Sequence, residues 1–138
     1  MTIFEKEYFQ KFEFSQSQID RYFKNALRDL EIARSDPFCE VRFMYCYQAL
    51  IKAGIAVIAK QGRVKIRSVS GHHIKILAKM SGILKDEDIF VIGNAMRMKR
   101  NNDFYGGGEF ISAKEIKDYL AFVEEVITKA RKMIKETE

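Results

Sequence analysis

Tryptophan is absent from this chain, proline occurs once and cysteine twice. So few helix breakers favour long helices over a turn-rich β fold. Cys39 and Cys46 stand seven positions apart in a helical pattern, and two helical turns hold their Cα atoms roughly 10 Å apart. That exceeds the reach of a disulfide, so no disulfide framework is expected and a reducing compartment fits. No apolar run approaches the ~20 residues that span a bilayer. The opening stretch MTIFEKEYFQKFEF is acidic in places and holds no apolar core of signal-peptide length. The expectation is a cytoplasmic protein with no membrane segment. No internal repeat or low-complexity segment occurs. Also missing are a G-x-G-x-x-G following a strand, a G-x-x-x-x-G-K-[ST] loop and a G-x-S-x-G element, which argues against a dinucleotide-binding, P-loop or α/β-hydrolase site.

What is present suits one domain. The 138 residues are 47% hydrophobic and 31% charged, enough to bury a core without metals or disulfides. Residues 1–138 are read as a single domain, with 1–14 as a short helix or an arm packed on a neighbour. The formal net charge is +5 and the pI about 9.2. Such an excess implies a polyanionic partner only where the positive charges cluster.

Helical periodicity carries most of the chain. The first helix is expected from about Ser17 to Ala33, opened by a Ser15–Gln18 capping box and apolar at Ile19, Tyr22, Phe23, Ala26, Leu27 and Leu30. Asp36 and Pro37 suit the cap and first position of a second helix reaching about Gln61, with Gly62 as its stop. This helix is poor in charge after Arg42 and is expected to be central and most buried. GRVKIRSVS, residues 62–70, then reads as a basic connection; it is β-prone but lacks an evident partner strand. A third helix is expected from about Ser70 to Ile83, with Gly82 as an interruption. Asp86 caps a fourth that ends in MRMKRNNDFYGGG, where three glycines terminate it. A Ser112–Glu115 capping box opens the last helix, which runs to about Ile134. The fold class is therefore all-α, an up-and-down bundle of four to five helices.

The residues with most chemistry lie at the end of the fourth helix. Arg97, Lys99 and Arg100 crowd one helix terminus, where positive charge is favourable against the helix dipole whatever the function. Arg97 also shares a face with Arg100 and Asn101. Guanidinium forks with a neighbouring amide suit a phosphate. Arg63, Lys65 and Arg67 of the basic connection extend the candidate nucleic-acid surface. The two histidines, His72 and His73, stand together at the start of the third helix. They read as helix-end packing residues or as auxiliary groups should that helix approach Arg100. Adjacent histidines diverge on a helix and the cysteines belong to a separate apolar face, so no metal site is expected, and no cofactor either.

The run R-N-x-x-x-Y, from Arg100 through Asn101 to Tyr105, resembles the Arg-(4 to 6 residues)-His motif of the HEPN superfamily. N-A-L-R-D-L-E-I-A in the first helix, F-M-Y-C-Y-Q-A-L-I-K-A in the second, G-H-H-I-K-I-L in the third and M-R-M-K-R-N in the fourth are similar to the corresponding family helices, in order, over about residues 20 to 130. The resemblance implies a bundle of four or five helices that dimerises with two motif copies facing each other. It further implies RNA-directed chemistry and a setting in toxin–antitoxin or defence modules, often beside a nucleotidyltransferase. Active members resemble metal-independent ribonucleases, in which arginine and histidine promote attack of a ribose 2′-hydroxyl on the adjacent phosphate. Here Tyr105 stands where the motif has histidine. A phenol with a pKa of ~10 is a poor base at neutral pH. The expectation is thus a homodimeric HEPN-like protein that binds RNA or a nucleotide. One rival is a weak metal-independent endoribonuclease using Arg100, Asn101 and Tyr105; the other is a purely protein-binding module.

Overall fold

The computed structural model describes residues 2–105 and 111–136, with residues 103–105 and 136 described by their helical backbone alone. Five helices dominate: α1 (Gln16–Ser35), α2 (Cys39–Gly62), α3 (His72–Leu84), α4 (Glu87–Tyr105) and α5 (Ala113–Glu136). The expected all-α class holds. Two short strands, β1 (Phe9–Lys11) and β2 (Val64–Ile66), pair antiparallel with Phe9 opposite Ile66.

Both capping boxes close as the residue types dictate. The Gln18 amide donates to Ser15 Oγ at 3.2 Å, and the Glu115 amide donates to Ser112 Oγ at 3.0 Å. At Asp36-Pro37 the expected helix start is displaced. Asp36 caps the end of α1, its N–H donating to the Ile32 carbonyl at 3.0 Å, while its carboxylate accepts from the Phe38 amide at 2.9 Å. One aspartate thus joins two helices, and α2 begins two residues past the proline. Gly82 interrupts nothing, because α3 runs through it to Leu84. The proposed terminator Gly106 to Gly108 lies outside the described residues.

Helix α2 is the hub, packed against α1, α3, α4 and α5. Leu50, Ala53, Ala56 and Val57 have no exposed surface. By length and composition α2 could cross a membrane, contrary to the sequence expectation, but 61% of its apolar window is buried inside the bundle. Its apolar character therefore serves the core. Two glycines let neighbours close on it. A Cβ at Gly54 would stand 2.6 Å from Ile76 Cγ2 of α3, and one at Gly93 of α4 would stand 2.7 Å from Leu77 Cδ2 and 3.3 Å from Leu50 Cδ2. Any larger residue there would push α3 and α4 outward.

The N-terminal segment is an arm, and it supplies the partner strand that the basic connection lacks in local sequence. The Phe12 amide donates to the Arg63 carbonyl at 3.0 Å, and the Arg67 amide to the Tyr8 carbonyl at 2.7 Å. Phe4 seals the arm against Gly62, where a Cβ would meet its ring at 2.5 Å. Glu5 pairs with Lys75 at 2.7 Å and also with Lys79, both on α3. Residues 62–70 are therefore partly strand rather than a plain connection.

Candidate nucleic-acid interface

Beyond β2 the chain turns into α3 through Gly71, whose φ of 81° lies in the left-handed region that favours glycine. Gly71 is also the N-cap, so α3 starts without a side-chain cap. The amides of His73 and Ile74 find no acceptor among the described residues. A helix start in this condition presents unpaired N–H groups and the positive end of the helix dipole. The His72 ring folds back, with Nδ1 2.8 Å from the Val69 carbonyl. A carbonyl only accepts, so Nδ1 carries the hydrogen and Nε2 is left as the acceptor nitrogen.

Across from this turn stands α4. The Gly93 contact with Leu77 brings it close, and Arg97, Arg100 and Asn101 follow on one face. Residues 68–74 line an open cleft of about 490 Å³ together with Arg97, Arg100 and Asn101. Arg97 Nε donates to Asn94 Oδ1 at 2.9 Å. The Arg100 guanidinium lies over the Tyr47 ring at 5.5 Å, a cation–π distance. Tyr47, almost wholly buried on α2, has its hydroxyl 2.9 Å from His73 Nδ1. Among the described residues no carboxylate pairs with Arg97 or Arg100, whereas Lys99 on the same helix pairs with Glu115.

Burial sets the protonation of the floor. It pushes the His73 pKa down to about 4, helped by the neighbouring His72, Arg100 and Arg97. It pushes the Tyr47 phenol up to about 12, against the pull of Arg100 and Arg97. Around neutral pH the Tyr47–His73 pair is uncharged. The arginines above it are not, so the cleft holds concentrated positive charge with oriented donors.

The sequence candidates divide between two places. Arg97, Arg100 and Asn101 meet His72 and His73 in the cleft, so the histidines do approach Arg100. Lys99 belongs elsewhere: it is directed to Glu115 of α5 at 3.2 Å. Arg63 and Arg67 line a separate groove of about 860 Å³ beside the hairpin. Arg63 sits 3.8 Å from Glu13, Lys65 lies over the Phe12 ring at 5.1 Å, and Arg67 Nε donates to the Lys6 carbonyl at 3.0 Å. Tyr105 ends α4, and its side chain lies outside the described residues. Sequence reasoning did not mark Tyr47 as part of the site. Its signal was present, since a phenol on the buried face of a core helix needs a polar partner. Cys46, also buried on α2, has its thiol pKa raised to about 12 by desolvation, which makes it inert. Among the described residues no three histidine, cysteine or acidic side chains gather as a metal site would require.

No protein-family model matches the chain, and neither a curated protein nor a solved structure matches it significantly.

Proposed function

We propose that the protein is a HEPN-like helical domain that binds RNA, or a nucleotide, through the cleft between α3 and α4. One observation carries the reading: Arg97, Arg100 and Asn101 face the uncapped start of α3, and among the described residues neither arginine has a carboxylate partner. Arginines left unneutralised beside free backbone donors suit a phosphate group. The order of the family-like segments supports the HEPN assignment. A homodimer is part of the reading, because α4 exposes Val91, Ala95 and Met98 at helical spacing on its outer face, with Val91 62% and Met98 52% accessible. Light scattering that finds only monomer at high micromolar concentration would remove it. The setting proposed is a cytoplasmic toxin–antitoxin or defence module with a nucleotidyltransferase partner, and the free thiols of Cys39 and Cys46 suit a reducing compartment.

A second reading, slow metal-independent RNA cleavage, is favoured by the presence of His72 in the cleft. With Nδ1 held by Val69, Nε2 is the acceptor for a 2′-hydroxyl proton while the arginines stabilise charge on the attacked phosphate.

The test is binding of a labelled single-stranded RNA, followed by anisotropy in chelator as salt is raised. Affinity that falls with salt supports phosphate contact. Arg100→Ala is expected to weaken binding about tenfold or more, while Lys132→Ala on α5 changes it little. Equal effects would reduce the cluster to a solvated helix end. No RNA binding at any salt favours the protein-binding rival. Cleavage is scored in the same mixtures, where Tyr105→His is expected to raise the rate above the parent by supplying a group that titrates near neutrality.

A further inference from the structure

We infer that the cleft between α3 and α4 receives a terminal phosphate, the phosphomonoester of a nucleotide or of an RNA end, in preference to the internal phosphodiesters of a strand. The inference rests on the reading of the cleft as a phosphate site and names what that site selects.

Charge is the first argument. Arg97 and Arg100 bring two permanent positive charges to one cleft, with no carboxylate pairing to either among the described residues. An internal phosphodiester carries one negative charge and would leave the second arginine unmatched. A phosphomonoester, with its second pKa near ~6, carries a charge of about −1.5 to −2 at pH 7. Two unmatched arginines and a near-dianion cancel.

The donors give the second argument. Besides the arginines, the cleft offers the unpaired amides of His73 and Ile74 and the Asn101 amide. They approach from both α3 and α4, so they surround a group rather than line a path. A phosphodiester within a strand has two free oxygens to accept these bonds and must leave in two directions. A monoester has three and leaves in one.

Size and floor agree. At about 490 Å³ the cleft lies in the lower half of the ~300–1,000 Å³ range of small-molecule sites. Its inner wall includes His73, uncharged and backed by the buried Tyr47 hydroxyl at 2.9 Å. That wall adds no negative charge. It also fixes Arg100 from below through the Tyr47 ring, so the guanidinium is partly immobilised before a ligand arrives. The basic residues Arg63, Lys65 and Arg67, which would be needed to hold a passing strand, lie outside this cleft at the hairpin.

The experiment compares one short oligoribonucleotide in three forms, with hydroxyl ends, with a 5′-phosphate and with a 3′-phosphate, together with free 5′- and 3′-mononucleotides as competitors. The full chain is used, in chelator, at neutral pH. One phosphorylated form is expected to bind about tenfold or more tightly than the hydroxyl form, as charge-assisted bonds to one added phosphate require. That advantage should vanish in Arg97→Gln/Arg100→Gln and shrink in Asn101→Ala, with circular dichroism confirming that both variants fold. If a mononucleotide competes as well as the phosphorylated oligomer, the ligand is a free nucleotide; if only the oligomer binds, it is an RNA end. Equal binding of hydroxyl and phosphorylated oligomers overturns the inference while leaving RNA binding intact. Mononucleotide binding without oligomer binding sustains the inference and removes RNA as the ligand. No binding by any of these molecules overturns both.

Discussion

Asp29 and Arg100 both rest against α2, one from α1 and the other from α4, and the fold treats their charges differently. Asp29 has no exposed surface, yet the Lys52 ammonium stands 2.6 Å from Oδ2 and the Arg28 guanidinium 3.3 Å from Oδ1. The Lys52 contact is close in distance but poorly aligned as a hydrogen bond, so it acts mainly through charge. Among the described residues Arg100 has no carboxylate partner; its guanidinium meets the Tyr47 ring, and it shares its cleft with the like charge of Arg97. The first cluster is electrically closed and holds two helices together. The second is open, which is the arrangement expected where a ligand supplies the missing charge.

The closed cluster breaks with the largest effect. Lys52→Met should lower stability by about 3–5 kcal/mol, because it strands a wholly buried carboxylate with only the exposed Arg28 beside it. Asp29→Leu should lower it less, since Lys52 keeps part of its surface in water, 31% of its side chain. The double variant should be more stable than the sum of the two losses predicts. Urea midpoints measure all three; strict additivity would show that the pair does not interact.

Acid sharpens the same contrast. The His73 pKa is depressed to about 4, so the folded protein resists a proton that the unfolded chain accepts near 6.5. Its contribution is fully present above pH ~6.5 and is lost as the pH falls toward 4, by on the order of 2 kcal/mol after allowance for solvent screening. His73→Gln removes the titration, so its stability should change less across that window than the parent's. Parallel curves would mean that His73 titrates alike in the folded and unfolded chain.

Glu5 acts in a lower window. Its pairing with Lys75, then Lys79, holds its pKa at about 2, against 4.5 ordinarily. That stability is present above pH ~4.5 and disappears as the pH falls through 2. The carboxylate is a third exposed, so Glu5→Gln should cost only about 1 kcal/mol at neutral pH. Loss should be confined to the arm, read as faster amide exchange at Phe12 and Arg67, whose N–H groups the hairpin holds. Uniform loss across the helices would show that the arm is integral to the core.

How much of this was legible follows from range. Ser15–Gln18, Ser112–Glu115 and the face shared by Arg97 and Arg100 are relations within one helical turn, and the sequence displays them directly. Phe9 pairs with Ile66, and Tyr47 with His73, across distances that leave no local pattern. Neither the hairpin nor the cleft floor is readable one segment at a time. Lys99 is a different case. Two residues from Arg97 on a helix is the wrong face, so its separation from the cleft is visible in the sequence, although its pairing with Glu115 of α5 is not. GRVKIRSV is β-prone but reads as a connection, because the strand it pairs with lies in the distant arm.

The smallest effect on stability belongs to Arg100, and it separates the two clusters most clearly. Arg100→Ala removes a cation–π contact with Tyr47, which at a partly exposed site is worth ~0.5–1 kcal/mol. It also relieves repulsion from Arg97 and removes one cause of the low His73 pKa. These terms oppose, so the net change should lie within about 0.5 kcal/mol of zero, whereas phosphate affinity falls about tenfold or more. The acid window of His73 should narrow in the same variant, because one of the charges holding its pKa down has gone. A thermal midpoint close to the parent's, a flatter loss of stability between pH ~6.5 and 4 and a lost phosphate site would together mark Arg100 as a residue whose charge serves a ligand. A stability loss as large as that of Lys52→Met would place it with the closed cluster, as part of the scaffold.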